Sequence, residues 1–289
     1  MDQSVVHILA GGIIAILRLE RPEDLLPAAE AILLGGVTTI EVSFASPDAT
    51  KVLGPARSSL GQGTLLGIGM VLTSEAARDA IRAGAQFITA PTLNSEVIRV
   101  CREAHVPVIA GAFTASEIVH AWELASSLVK VFPAGTVGAG YIRELLASLP
   151  HVRLVPTGGV TLENVGDFIG AGAAAVGVGA GMIPEYTLVR KEFSEITRQA
   201  RAFAEAVQRA RGQKARPAQP VRPIEGPDIR RRRATVQGMQ LGPLGRWDCI
   251  LEIVASCDPP RLRRNAPRSA ALIQSGWLPD PASSSSPRN

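Results

Sequence analysis

The chain has 289 residues, 46% hydrophobic and only 4% aromatic, with 28 glycines, the composition of a compact α/β protein with ample apolar mass for a core. Three cysteines, two of them in the last quarter, exclude a disulfide framework and favour a reducing compartment, the cytoplasm. The opening Met1-Asp2-Gln3-Ser4 lacks a basic and then apolar leader and no apolar run reaches membrane-spanning length, so neither export nor a membrane span is expected. The net charge of +4 divides near Gly212: residues 1–211 hold 17 of the 30 Lys and Arg against 20 of the 26 Asp and Glu, so the basic excess belongs to residues 212–289.

In chain order, Gln3–Leu9 has the spacing of a short helix, and eight short apolar segments come after it. They are Ile13–Leu17, Thr38–Phe44, Leu65–Val71, Phe87–Ala90, Val106–Ala110, Leu128–Phe132, Leu154–Val155 and Ala174–Val178, each succeeded by a stretch with helical spacing. The amphipathic stretches include Glu23–Leu34, Ser74–Ala83, Ser95–Ala104, Ser116–Ala125, Gly140–Ser148 and Leu162–Ala171. Capping residues stand at Thr73 or Ser74, Asn94, Ala115-Ser116 and Thr161, and glycines close helices at Gly35-Gly36, Gly84 and Gly172.

Strands apolar on both faces, alternating with helices, predict a parallel sheet covered by helices. Eight repeats predict a closed TIM-type (β/α)₈ barrel over residues 1–211, in preference to an open doubly wound sheet. A last helix from about Leu188 to Arg209 seals it, and Gln3–Leu9 crosses its lower end. Residues 212–289 carry 11 of the 21 prolines, the run Arg230-Arg231-Arg232-Arg233 and a closing serine run, with one short apolar stretch, Cys249–Ala255. Little there offsets the entropy of folding, so a mostly disordered C-terminal extension is expected. Its arginines would attract anionic surfaces through charge alone, and no nucleic-acid partner is expected.

Barrel enzymes place chemistry at the C-terminal ends of the strands, which makes a charge inside a strand informative. Lys130 interrupts Leu128-Val129-Lys130-Val131-Phe132, where an unpartnered ammonium is costly to bury. A lysine so placed serves as a neutral amine, a nucleophile toward a carbonyl carbon. Glu41 interrupts Thr39-Ile40-Glu41-Val42-Ser43 in the same way. With a strand period of two, Lys130 shares a face with Phe132 and Glu41 with Ser43, so the two charges converge if both faces look down the barrel axis. The alternative, a structural ion pair, is disfavoured because isolated buried pairs stabilise folds poorly compared with apolar replacements.

Arg18 ends the first strand, either as a surface group beside Glu20 or as a bidentate grip on a carboxylate or phosphate. Thr157-Gly158-Gly159 and the Gly179-Ala180-Gly181 turn stand where barrels bind phosphate through backbone N–H groups; ordinary tight turns are the alternative.

These residues are in the setting of a known family. Ile40-Glu41-Val42, Val129-Lys130-Val131-Phe132-Pro133-Ala134, Pro156-Thr157-Gly158-Gly159-Val160 and Val176-Gly177-Val178-Gly179 resemble the 2-dehydro-3-deoxy-phosphogluconate (KDPG) aldolases. So do Ala15-Ile16-Leu17-Arg18, Gly84-Ala85-Gln86-Phe87-Ile88 and Asn94-Ser95-Glu96-Val97-Ile98, and the likeness runs in one order over roughly residues 5–210. The resemblance implies a metal-independent, cofactor-free (β/α)₈ aldolase, a homotrimer, acting on a phosphorylated 2-keto-3-deoxy sugar acid. The products would be pyruvate and glyceraldehyde 3-phosphate, or pyruvate and glyoxylate from 4-hydroxy-2-oxoglutarate. It implies that Lys130 forms an imine with the C2 ketone and that Glu41 shuttles protons. Thr157, Gly158, Gly159 and the Gly179 turn would hold the phosphate end and nearby hydroxyls, and Arg18 would grip an anionic group.

The chain also departs from the family pattern. Gly67-Ile68-Gly69-Met70-Val71-Leu72 stands where the family reads Gly-Ala-Gly-Thr-Val-Leu, exchanging a hydroxyl for a thioether. Ala45 stands where some relatives carry arginine, Ala110 where proline is usual, and Gly135 where some have glutamate. A catalytically weakened relative that binds a phosphorylated ligand, or a phosphogalactonate-type substrate, is therefore an open alternative.

Overall fold

The computed structural model describes residues 2–46 and 48–212; the expected extension from residue 213 on, with Arg230–Arg233, Cys249 and Cys257, lies outside the described residues. In chain order the elements are α1 (Gln3–Gly11), β1 (Ile13–Leu17), α2 (Leu25–Leu34), β2 (Thr39–Ser43), α3 (Ala49–Leu60), β3 (Leu65–Gly69), α4 (Ser74–Arg82), β4 (Ile88–Thr89), α5 (Ser95–Glu103) and β5 (Val108–Ala112). They continue with α6 (Ala115–Glu123), β6 (Leu128–Val131), α7 (Gly138–Ser148), β7 (Leu154–Pro156), α8 (Val165–Gly170), β8 (Val176–Val178), α9 (Glu185–Val189) and α10 (Phe193–Gly212). The strands are all parallel, in the spatial order β7-β6-β5-β4-β3-β2-β1-β8. A parallel bridge between Thr157 and Gly177 joins the two ends, so the sheet is a nearly closed barrel and the open doubly wound alternative is excluded.

The register decides which side chains meet inside. Followed from Glu41 across β3, β4 and β5, it reaches β6 at Ser126. Followed the other way, across β1, β8 and β7, it reaches Ala134. Lys130 is midway between the two, so the level of the barrel rises about one residue per strand step, as expected for a shear of about eight. Inward-facing residues of alternate strands then share a level. Thr39, Phe87, Leu128 and Ala175 form one such level, and Glu41, Thr89, Lys130 and Gly177 form the next one up.

Burial separates the two faces of each strand. Ile40, Val42, Ile88, Val129, Val131 and Val178 pack outward under the helices, within the main core. Ile14, Leu65, Phe87, Ile109, Leu128, Val155 and Ala175 pack inward and form a second cluster with Val5 and Ile8 of α1. The amphipathic α1 is therefore a plug for the lower end of the barrel, as its sequence predicts. Arg211 of α10 fastens it: the guanidinium donates to the carbonyls of Ala10 (2.7 Å) and Leu9 (2.9 Å), satisfying acceptors at the end of α1, and to that of Ala174 (3.1 Å), just before β8.

Helix boundaries follow local capping chemistry. The Thr73 hydroxyl accepts from the Ala76 amide, and the Asn94 side chain from those of Glu96 and Val97, so both predicted caps are in place. Gly36, Gly84 and Gly172 have φ of 90°, 90° and 103°, the left-handed region that glycine enters without strain. Two expected caps are corrected. α6 is capped by Thr114, not Ala115-Ser116, because Thr114 and Glu117 complete a capping box. The amides of Thr114 and Phe113 also hold the Glu117 carboxyl below its usual range. α8 begins after Asn164, not at Thr161, because the Asn164 side chain accepts from the Thr161 amide at 2.8 Å and draws that segment into a turn.

Three other boundaries differ from the sequence reading. β5 runs Val108–Ala112 instead of Val106–Ala110, because Pro107 has no N–H for the ladder although its carbonyl accepts from Ile88. α3 is not among the predicted amphipathic stretches, since it carries Gly54-Pro55 inside it. The expected last helix is two, divided where Lys191 takes a φ of 55°, and α10 runs one residue past the expected boundary at 211. Cys101 is buried in α5, where desolvation pushes its thiol up to about 12, so it packs as a small hydrophobe.

Replacing the fully buried Ile8 by alanine removes the plug's largest inward side chain and is expected to cost about 2–5 kcal/mol. Urea denaturation checks this as a lower midpoint at unchanged slope.

Candidate active site

β2 and β6 lie across the barrel from each other, and the inward parity of both strands sends Glu41 and Lys130 to its axis. Lys130 Nζ is 3.7 Å from Glu41 Oε1, and the two side chains are 3% and 2% exposed. That separation is too long for a hydrogen bond, and Glu41 Oε1 has no hydrogen-bond partner among the described residues. A structural ion pair in this environment needs tight geometry and further hydrogen bonds to repay desolvation. The arrangement instead keeps an amine and a carboxylate adjacent, with one carboxylate oxygen uncommitted. The ring of Phe132, on the same face as Lys130, has its centroid 5.7 Å from Nζ, within cation–π range.

The neighbouring strands make room for this pair by having no side chains. A Cβ on Gly69 would overlap the Glu41 carboxylate, so the glutamate occupies the space that the glycine leaves. Gly67 does the same one level lower for the Phe87 ring. Gly111, the register partner of Lys130, admits the Pro91-Thr92 backbone, and Gly177 admits the Thr157 side chain. Each inward glycine is thus a site of close approach.

Above the charged pair, Thr157 is buried and its hydroxyl donates to the Val155 carbonyl at 3.2 Å. Gly158 and Gly159 come next with φ of 82° and 75°, a left-handed pair that only glycine adopts at low cost. Their amides donate to no protein acceptor among the described residues, whereas their carbonyls are occupied. The Gly158 carbonyl accepts from Gly135 N–H at 2.7 Å, and the Gly159 carbonyl from Asn164 Nδ2 at 2.8 Å. A Cβ on Gly135 would approach Gly159 Cα to 2.8 Å, which accounts for a glycine at that position in this chain. Gly179 is half-buried, and its carbonyl accepts from Met182 and Ile183, both at 2.9 Å.

Lys130, Glu41 and Thr157 therefore lie inside the barrel, and the Gly158-Gly159 and Gly179 turns lie on its upper rim. Arg18 is apart from them: it is exposed, two residues beyond inward-facing Ile16, and makes no ion pair with Glu20 among the described residues.

Three features escape a reading of the sequence. Asn164 braces the Gly158-Gly159 turn through its bonds to the Thr161 amide and the Gly159 carbonyl, and an asparagine five residues after a glycine carries no distinctive signal. Met70 has φ of 62°. The Ile68 amide donates to Phe87 and the next donor to β4 is Val71, to Thr89 at 3.1 Å, so Gly69-Met70 inserts one extra residue opposite β4 as a β-bulge. Thr89 faces inward beside Phe87, 1% exposed, and its hydroxyl has no hydrogen-bond partner among the described residues. Alternation along Phe87-Ile88-Thr89 is the signal that would have found it.

Comparison with known proteins bears on this site. The family profile described as "Aldolase: KDPG and KHG aldolase" matches residues 6–199. A 2-dehydro-3-deoxy-phosphogluconate aldolase of Treponema pallidum is 37% identical over 187 residues, 64% of this chain and 88% of that protein. A 2-dehydro-3-deoxy-6-phosphogalactonate aldolase of Escherichia coli is 32% identical, over 68% of this chain and 96% of that protein. The crystal structure of a KDPG aldolase from Legionella pneumophila, with pyruvate captured as a covalent carbinolamine intermediate, superposes with a TM-score of 0.66 at 28% identity. It covers 70% of this chain and 98% of that one.

A methyl group at Gly69 cannot coexist with the present Glu41 rotamer. Gly69→Ala is expected to displace the carboxylate beyond 4 Å of Lys130 Nζ, roughly the ion-pair limit, without changing strand register. A crystal structure of the variant that retains the contact would refute this account of the glycine.

Proposed function

The chain belongs to the KDPG and KHG aldolase family, and we propose that Lys130 and Glu41 are the catalytic pair of a metal-independent, Schiff-base lyase that cleaves 2-dehydro-3-deoxy-6-phosphogluconate to pyruvate and glyceraldehyde 3-phosphate. The observation that carries the assignment of roles is the buried approach of Lys130 Nζ to Glu41 Oε1 at 3.7 Å.

In this reading the Lys130 amine adds to the C2 ketone, forming a carbinolamine. Glu41 delivers a proton to the departing hydroxyl, and the product is an iminium. The iminium takes up the electron pair released when C3–C4 breaks, the difficulty any aldolase of this kind must overcome. Proton removal from the C4 hydroxyl frees the aldehyde, and the enamine left behind is protonated at C3 and hydrolysed to pyruvate. Glu41 serves these transfers if the reacting proton comes within about 3 Å of its carboxylate, directly or through one water. The Phe132 ring and the apolar level beneath exclude bulk water from the amine.

The unpaired amides of Gly158 and Gly159 support a phosphate site on the upper rim, with Thr157 and the Gly179 turn completing it. Arg18 takes an anionic group at the mouth. We extend the proposal to a cytoplasmic homotrimer acting in Entner–Doudoroff sugar breakdown, and to a division of the chain into a barrel at 1–211 and a separate extension at 212–289. No helix among the described residues is long and apolar enough to cross a membrane.

A second reading rests on Met70. Its bulge puts a thioether where the resemblance expects a hydroxyl, and a weakened enzyme that still binds a phosphorylated ligand would result. The phosphogalactonate epimer is a rival substrate, supported by the 32% identical relative, and 4-hydroxy-2-oxoglutarate is a further one.

Borohydride added with pyruvate is expected to leave a stable adduct on Lys130, located by peptide mass spectrometry, and a chain that is not trapped there contradicts the mechanism. Glu41→Gln is expected to lower kcat by about 10²- to 10⁴-fold in a coupled assay of pyruvate release. In the same assay, Met70→Thr should lower KM for the sugar acid if the lost hydroxyl matters. A parent and a variant that are both inactive but retain phosphate-ligand binding would establish the second reading.

A further inference from the structure

Among the described residues, the proposed mechanism leaves two buried, unpartnered hydroxyls unused, those of Thr39 and Thr89. Thr89 and Glu41 belong to the same level of the barrel interior, on β4 and β2, with Lys130 on β6 completing that level on the far side. Between Thr89 and Glu41 stands β3, whose inward residues just below and just above that level are Gly67 and Gly69. No β3 side chain separates the two, and the Glu41 carboxylate leans into the space that Gly69 leaves. Between Glu41 on β2 and Lys130 on β6, Thr89 carries the side-chain oxygen at that level, and it is 1% exposed. Among the described residues neither its Oγ1 nor Glu41 Oε1 has a hydrogen-bond partner, and they are not bonded to each other. Two uncommitted buried oxygens on one level of the interior, with an amine on the far wall of that level, supply the kind of polar partners that a buried water needs.

Resting on the Schiff-base reading above, we propose that Thr89 is a positioning residue for the water of imine chemistry. Its hydroxyl and Glu41 Oε1 hold between them the water that leaves when the carbinolamine on Lys130 collapses and that returns to hydrolyse the pyruvate imine. In the forward step the C2–O bond breaks, and the proton on the Glu41 carboxyl passes to the departing hydroxyl. The nitrogen lone pair closes the C=N bond, one water is released, and Glu41 is left a carboxylate. Hydrolysis is the reverse: Glu41 takes a proton from the same water as its oxygen adds to C2. Thr89 fixes that oxygen on the side of C2 facing Glu41.

Thr39 supplies the comparison. Its hydroxyl is equally buried and unpartnered, but it belongs to the level below, with Phe87, Leu128 and Ala175, which is apolar apart from Thr39 itself. The test uses the full-length chain with Thr89→Val, an isosteric loss of the hydroxyl, Thr89→Ser, which keeps it, and Thr39→Val. Two quantities are read: exchange of the C2 oxygen of pyruvate with H₂¹⁸O by mass spectrometry, and kcat and KM for pyruvate release. Thr89→Val is expected to slow both exchange and kcat by about two- to tenfold with KM unchanged, the effect of losing one hydrogen bond to a neutral water. Thr89→Ser should restore the rates, and Thr39→Val should leave them alone. Parent-like exchange in Thr89→Val, failure of the serine to rescue, or an equal loss in Thr39→Val would each overturn the proposal while leaving the aldolase intact. A parent chain that neither exchanges oxygen nor is trapped by borohydride overturns the aldolase reading itself, and this inference with it.

Discussion

The site depends on one geometric constraint, the register of eight tilted strands. A circuit that displaces the register by about one residue per strand brings the inward positions of alternate strands to a common level. Glu41 and Lys130 lie on opposite walls and are 89 positions apart in sequence, yet this offset brings their ends within 3.7 Å. A slip of one residue in β2 or β6 would turn the charge outward under the helices. Hydrogen bonding between backbones, which carries no chemical information of its own, therefore determines which functional groups meet.

Volume is the second constraint. A barrel of this size is filled by its own side chains, so space for an amine, a carboxylate and a substrate must come from residues that have none. Gly69 and Gly111 beside the charged pair, with Gly67 and Gly177 nearby, supply it, and each is filled in turn by a defined neighbour: Glu41, the Pro91-Thr92 backbone, the Phe87 ring and Thr157. The same logic extends to the rim, where Gly135 and Gly159 pack backbone to backbone and so hold two amides free above the site. What reads in sequence as a glycine-rich, flexible chain is in the fold a set of close contacts.

Below the pair the interior is apolar and closed by α1, and above it the wall turns polar. Desolvation from below and free hydrogen-bond donors above give the site a direction. Unpaired oxygens at Glu41 and Thr89 mark where the interior retains capacity for hydrogen bonding. Such capacity is costly in a stable fold, and the buried Thr39 hydroxyl one level lower shares it.

The amino-acid sequence by itself determined the alternation of strands and helices, the plug at the N-terminus and the identity of Lys130 and Glu41. Each of these rests on short-range signals: apolar runs, capping residues, terminal glycines, and a charge in the wrong company. It placed the rim turns as well, because glycine at a strand end is a backbone instruction. Tertiary structure alone decided the rest. Whether Arg18 pairs with Glu20, how Met70 becomes a bulge opposite β4, why Asn164 and not Thr161 opens α8, and that Thr89 shares a level with Glu41 and Lys130 all depend on contacts between segments. Periodicity within one strand reports which way a side chain points; only the offset between strands reports what it faces.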